Sequence, residues 1–318
     1  MYEMCEIRSD FYFLKYTGQS WPTASNIFLI RDKNGVNLID TGLNKKEVFK
    51  GVSNCLHQLG YDVSDIHTVL LTHGHTDHIA GLNIIREFCN PRVFLPKKCI
   101  PEATDSCTQE DAILPRHVRE IAPRLRDYDI LGEFSSSCGE WELKDLRPLP
   151  IEDNDEIRLG NYSFQAIHTP GHDVGLMVYF EPEINLLLST DLLRSTIPGN
   201  ALPWYSSTGG GVKSYLQSLD RVEKLYIDKA FSSHGTLSGD VKKPISETRN
   251  AILGREAKIM NSLKNTPKTC EQLDLILYTA LTLKFCPWFS STTEAHLQHL
   301  IGQGLIQKNG LEYSLTSC

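Results

Sequence analysis

Residues 72–78 read Thr-His-Gly-His-Thr-Asp-His, which places His73, His75, Asp77 and His78 within six positions. The chain has 11 histidines in 318 residues, so this concentration is not a chance scatter of loop residues. Three imidazoles beside a carboxylate make a metal-ligand cluster, of a kind that suits zinc, iron or manganese. The run follows an apolar, β-like stretch over residues 67–72. The cluster therefore sits on a loop at a strand end, where a rigid sheet can aim it. His73 and His75 are two apart, and in extended backbone they point the same way. Asp77 and His78 follow as the chain turns into helix, toward a second position.

Four further segments share one grammar, an apolar strand with a polar residue at its C-terminal end. Residues 162–167 lead into His168-Thr-Pro-Gly-His172, where Pro170 and Gly171 force a tight turn from which His172 emerges. Residues 186–190 run into Asp191, residues 231–233 into His234, and residues 36–39 into Asp40. Taken singly, His172 and His234 read as ordinary polar residues. In order behind the first cluster they read as ligands lining one sheet edge.

This ordered set resembles the metallo-β-lactamase superfamily, whose H-x-H-x-D-H signature is followed by a His, a bridging Asp and a final His. The resemblance spans residues 40 to 234. It implies an α/β fold, the four-layer αββα sandwich, and two divalent metal ions. Carried over by motif, His73, His75 and His172 hold one ion, and Asp77, His78 and His234 the other. Asp191 bridges them, and Asp40 orients a ligand histidine from behind. Zinc is the first expectation for the ions, with iron or manganese as alternatives, since availability decides among N/O sites. The pattern is most similar to the glyoxalase II, ribonuclease Z and lactonase branches. Oxygen-reducing diiron members carry Glu where His75 stands, and true β-lactamases lack the bridging Asp and final His in this form. Persulfide dioxygenases share much of the set.

The implied chemistry is metallohydrolysis. Two cations about 3.5–4 Å apart share a bridging hydroxide, which attacks a carbonyl or phosphoryl centre without a Ser or Cys nucleophile. Asp77 is a ligand first and a proton shuttle second, so Asp77 and Asp40 are the carboxylates with catalytic work. The first substrate expectation is a small acidic or acylated molecule, with a thioester of the acyl-CoA or glutathione type as the leading class and a lactone or ester as nearest variant. A ribonuclease or phosphodiesterase, and an iron-dependent persulfide dioxygenase, are the alternatives.

Composition frames this reading. The chain is long enough for one large domain or two unequal ones. The expected division is a catalytic domain over 1–245, with an insertion at about 97–145, and a small domain over 246–318. No apolar run approaches the ~18 residues of a membrane span. The N-terminus lacks a basic and apolar leader. Nine cysteines without C-x-x-C pairs suggest free thiols in a reducing cytoplasm.

Strands are expected over 24–31 and 36–39, turned at Asn34-Gly35, and over 92–95, 176–180, 184–190 and 229–231. Residues 156–159 and 162–167 form a hairpin turned at Gly160-Asn161. Helices are expected over 45–59, 79–88 and 212–225. Within the insertion, a helix near 111–128 carries Arg116 and His117, either on a solvated face or as an anion grip. The Pro/Gly-rich loop 195–211 presents Trp204 and Tyr205 as candidate walls of a substrate pocket.

The tail reads as helices over 246–263, 270–279 and 292–302, then a hairpin turned at Asn309-Gly310. That is winged-helix order. Residues 292–301 contain no Lys or Arg, and the tail holds seven basic against six acidic residues on a chain of net charge −7. This argues against nucleic acid as a partner. It leaves the tail as a pocket wall or an oligomer surface, with a homo-oligomer open. His296 and His299 read as ordinary helix residues.

Overall fold

In the computed structural model, residues 2–18, 23–104, 143–194, 204–205, 209–235, 241–280, 283 and 289–316 are described. Two sheets lie face to face. The first has seven strands: β1 (Tyr2–Arg8), β2 (Phe11–Tyr16), β3 (Ile27–Asp32), β4 (Gly35–Ile39), β5 (Ile66–Leu70), β6 (Arg92–Pro96) and β7 (Leu149–Ile151). They lie in chain order, antiparallel through β4 and parallel from there on. The second sheet runs β12 (Lys229–Ser232), β11 (Leu186–Thr190), β10 (Met177–Glu181), β9 (Tyr162–His168), β8 (Glu156–Leu159).

Side-chain alternation builds the layers. Phe28 and Ile30 of β3 face inward to meet Phe164, Met177 and Tyr179 of the other sheet. Ile27 and Leu29 face outward onto α1 (Lys46–Gln58), α2 (Thr76–Ile79) and α3 (Gly81–Ile85), through Val52, Leu56, Ile79 and Leu82. On the opposite flank, Val178 and Leu187 cover α5 (Gly211–Glu223) and the first half of α6 (Lys242–Ser262), through Tyr215, Leu219, Ile245 and Ile252. A short α4 (Ile100–Thr104) follows β6. The arrangement is helix, sheet, sheet, helix, as the resemblance implied.

Two crossovers aim the polar strand ends at one place. The β4–α1–β5 unit makes β4 and β5 parallel neighbours, so Asp40 and Thr72 emerge side by side. The Asp40 N–H donates to the Leu70 carbonyl (2.9 Å). The β11–α5–β12 unit does the same for Asp191 and His234. Parallel strands need such a crossover, and it puts both C-terminal ends on one edge.

Several element boundaries differ from the sequence reading. The Asp32–Gly35 pair leaves Lys33 and Asn34 as the hairpin loop, one residue earlier than expected. At the C-terminus, Asn309 pairs with Glu312, so Gly310 and Leu311 make the turn, one residue later. The expected helix 79–88 is two short ones, α2 and α3. The Gly81 N–H donates to the Gly42 carbonyl (2.8 Å), and the Thr41 N–H takes the carbonyl of His78 (2.8 Å), which breaks the ladder. A Cβ at Gly81 would lie 2.1 Å from the Thr41 carbonyl oxygen, so this contact requires glycine. Strands β1 and β2 were not anticipated at all.

The tail comprises the rest of α6, β13 (Lys268–Thr269), α7 (Cys270–Leu277), α8 (Phe289–Gly302), β14 (Ile306–Asn309) and β15 (Glu312–Leu315), with sheet order β13-β15-β14. It has its own core of Ile259, Leu273, Leu297, Leu300, Ile306 and Tyr313. Helix α6 serves two cores, since its Ile245 and Ile252 belong to the second sheet's flank. The expected break at 245/246 thus falls four residues inside a continuous helix. The helix expected over 111–128 lies outside the described residues.

Candidate metal centre

Seven side chains from four strand ends converge. His73 Nε2 lies 2.9 Å from His75 Nδ1, which in turn lies 3.0 Å from His172 Nε2. Use of Nε2 by one histidine and Nδ1 by its neighbour two residues on is what lets both reach one point. A second group forms beside it. His234 Nε2 stands 3.1 Å from Asp77 Oδ2, and His78 Nε2 3.5 Å from the same oxygen. Asp191 joins the two groups, with Oδ2 3.3 Å from His172 Nε2 and 3.5 Å from His234 Nε2, and Oδ1 3.5 Å from His78 Nε2. Three overlapping donor triads result: His73/His75/His172, His73/His78/Asp191 and Asp77/His78/His234.

Hydrogen bonds made by the other ring nitrogens orient the imidazoles. His78 Nδ1–H donates to Asp40 Oδ2 (2.7 Å), His73 Nδ1–H to Thr72 Oγ1 (3.0 Å), and His172 Nδ1–H to the Trp204 carbonyl (3.0 Å). Each bond fixes a ring's orientation and turns its Nε2 inward, which is how ligating histidines are commonly prepared. His78 Nε2 and Asp191 Oδ1 are buried and have no hydrogen-bond partner. Buried polar atoms left this way are costly, unless a cation satisfies them. N/O donor sets of this kind are those that hold divalent metal ions.

The electrostatics agree. Burial keeps His73 well below its usual pKa and pulls His172 down to about 3, so both are neutral imidazoles at pH 7. Burial also opposes charge on His78, but Asp77, Asp40 and Asp191 outweigh it and lift that imidazole to about 10. Burial raises Asp77, yet His78 and His234 draw it down to about 2. The pocket is thus rich in ionised carboxylate and favours positive charge.

The backbone at the site is strained in two places. Asp40 has φ +62° and Thr190, just before Asp191, has φ +48°. The left-handed region costs a non-glycine residue roughly 1–2 kcal/mol. For Asp40 the return is three hydrogen bonds, two from Thr72 (N–H and Oγ1, each 3.0 Å) and one from His78. The turn after β9 is forced as well. Gly171 has φ +137°, and a Cβ there would lie 2.6 Å from the Tyr215 backbone.

The matched family model is the metallo-beta-lactamase superfamily, over residues 20–234. The chain belongs to that superfamily. It is a hydrolase of this family, similar to the probable metallo-hydrolase YqjP of Bacillus subtilis (24% identity, covering 86% of each chain). A metallo-beta-lactamase family protein of Thermus thermophilus shares the fold, with a TM-score of 0.78, 22% identity, and 98% and 100% of the two chains covered. An atrochrysone carboxyl ACP thioesterase of Aspergillus fumigatus is 22% identical over 76% of this chain and 44% of its own.

One expectation needs correction. Tyr205 does not line a pocket: it is fully buried, with its hydroxyl turned to His296 of α8. Asp40 stands behind the donor cluster, bonded to His78 directly and to His73 through Thr72 Oγ1. Trp204 does flank the site, its ring 4.9 Å from that of His75 and 4.7 Å from that of His172. Arg116 and His117 lie outside the described residues.

Sequence reasoning passed over three participants. Arg194 Nη2 donates to Asp191 Oδ2 (2.6 Å) and keeps 31% of its side chain exposed. Asp173 Oδ2 lies 3.9 Å from His75 Nε2, and its Oδ1 accepts from the Gly175 N–H (2.8 Å) and from Cys99 Sγ (3.3 Å). Thr72 directly precedes the histidine cluster. Arg194 and Asp173 each lie next to or three residues from an expected ligand, which is the only signal the sequence offers for them.

Proposed function

We propose that the chain is a dinuclear metal-dependent hydrolase of a small, negatively charged acyl substrate, with a thioester as the leading class and a lactone or ester next. The observation that carries this reading is Asp191, whose two oxygens reach both histidine groups. His73, His75 and His172 would hold one cation, Asp77, His78 and His234 the other, and Asp191 both. Zinc is the first choice, with iron or manganese as alternatives. Bound there, such cations supply Lewis-acid polarisation of the acyl oxygen and lower the pKa of an attacking water.

The chain's own groups supply the rest. Asp77 is ionised and about one-fifth exposed, and is placed to take the proton of the attacking water and pass it to the leaving thiolate. The Arg194 guanidinium offers its free edge to a carboxylate or phosphate on the substrate. Trp204 forms an apolar wall over His75 and His172, which sheds water from the reacting carbonyl. Likeness to the fungal thioesterase supports the acyl reading.

We read the tail, residues 246–318, as a winged-helix-like unit that serves the catalytic part rather than nucleic acid; its helices followed by a hairpin support this reading. Its near-neutral charge on a chain of net −7 disfavours the nuclease reading. Among the described residues no helix is long and apolar enough to cross a membrane. Cys5, Cys55, Cys89, Cys99 and Cys270 are free thiols, which fits the cytoplasm.

The test is elemental analysis of protein purified without chelator, followed by turnover of acyl-CoA thioesters, lactones and a phosphodiester. Two metals per chain and preferred thioester cleavage are expected. Phosphodiester turnover above acyl turnover would reverse the substrate assignment.

A further inference from the structure

A buried polar chain leads from the donor cluster into the tail. It begins at His172, whose Nδ1–H donates to the Trp204 carbonyl (3.0 Å). The next residue, Tyr205, is held by the tail at both ends. Its carbonyl accepts from Thr292 Oγ1 (3.1 Å). Its hydroxyl donates to His296 Nε2 and accepts from Arg255 Nη1 (3.2 Å). Behind these, Glu256 Oε1 accepts from His296 Nδ1 (3.4 Å) and His299 Nδ1 (2.6 Å). Arg255 and Glu256 belong to α6, and Thr292, His296 and His299 to α8. Tyr205 and His296 are fully buried, and burial holds His296 neutral, which lets its Nε2 accept.

Packing alone does not require this arrangement. A Phe and a Leu would fill the same space without desolvating a hydroxyl, an imidazole and a guanidinium. Directional hydrogen bonds do what packing does not, and fix one placement of the Tyr205 backbone. The Trp204 carbonyl is one residue away, and the His172 ring follows it.

We propose that α6 and α8 of the tail hold His172 in its ligating orientation through Tyr205 and the Trp204 carbonyl, with His296 as a positioning residue for the metal centre. This rests on the dinuclear reading of the site. It gives the tail a role in the activity of the catalytic part that needs no partner molecule.

The test uses the full chain with Tyr205→Phe, His296→Leu and His296→Gln. Three quantities are read: the two metal affinities by chelator competition, the d–d absorption of the cobalt-substituted protein, and the melting temperature. Loss of an outer partner commonly weakens a metal site roughly 10- to 100-fold. Tyr205→Phe and His296→Leu are therefore expected to weaken one metal position by about tenfold and to change the cobalt band. Tyr205→Phe should still fold, with a lower melting temperature because His296 Nε2 loses its partner, and His296→Gln, which can still accept from the hydroxyl, should restore the band. Unchanged affinities and spectrum in Tyr205→Phe would overturn the proposal, even if His296→Leu melts early or fails to fold. A parent protein that binds no metal would instead refute the dinuclear reading itself, and this inference with it.

Discussion

His78 Nδ1–H donates to Asp40 Oδ2 across 2.7 Å, with both side chains buried and Asp40 anchored to Thr72. The carboxylate touches no other donor of the cluster, yet it decides which nitrogen of His78 faces the site. Asp40→Ala is expected to lower metal affinity roughly 10- to 100-fold. Removing one partner of a buried pair should also cost about 3 kcal/mol of stability or more. Chelator competition and urea melts on the same variant measure the two losses. Parent-like metal binding would show that Asp40 is only structural.

Asp191→Ala removes the one side chain common to both groups. Turnover should fall by at least about 10³-fold, in line with losing a polarising group at the reacting centre. Metal content should drop from two toward one per chain. A variant that keeps two metals and normal turnover would contradict a bridging role.

Arg194→Met tests the substrate's charge. Losing a charge-assisted hydrogen bond of about 1.5–3 kcal/mol should raise KM for an anionic thioester roughly 10- to 100-fold. A neutral acyl substrate should be affected far less. Equal losses on both substrates would point to a role in holding Asp191 instead.

Gly81→Ala places a methyl group 2.1 Å from the Thr41 carbonyl oxygen. The backbone must move, at a cost of about 1–3 kcal/mol by analogy with overpacked sites. The shift carries the His78 carbonyl bonded to Thr41, so one metal position should weaken alongside the fall in melting temperature. A loss of stability with both affinities intact would separate this contact from the centre.

Acid should weaken the far end of the sheets through Asp32. Burial raises its pKa, but hydrogen bonds from Asn37 and Asn34 and the nearby His67 outweigh that and hold it below its usual value. A depressed carboxylate pKa stabilises the fold above the unfolded value of about 3.9, and the contribution is lost as pH falls through the folded value. Denaturant melts at pH 7 and pH 3 should show a smaller difference in Asp32→Asn than in the parent. An identical difference would remove Asp32 from the acid limb.

The six-residue span from His73 to His78, and the repeated rule of apolar strand then polar end, marked candidate donors and several strands before any coordinates, and the resemblance they carry implied the αββα class. They could, because ligand chemistry needs particular residue types and strand periodicity is local. The hairpin at Gly160-Asn161 was equally local, since loop length and turn residues fix it. Other features depended on backbone groups far apart in sequence. The break between α2 and α3 arises because Thr41 and Gly42 claim hydrogen bonds that a continuous helix would keep. Tyr205 sits where an amphipathic residue could face either a pocket or a core, and only α8, about ninety residues on, decides for the core. Which ring nitrogen each histidine turns inward, and the path from His172 to the tail, likewise exist only once the two sheets and α6 have closed around them. Sequence specifies which groups can ligate, whereas tertiary packing sets their tautomers and partners, because those depend on neighbours the chain brings together only by folding.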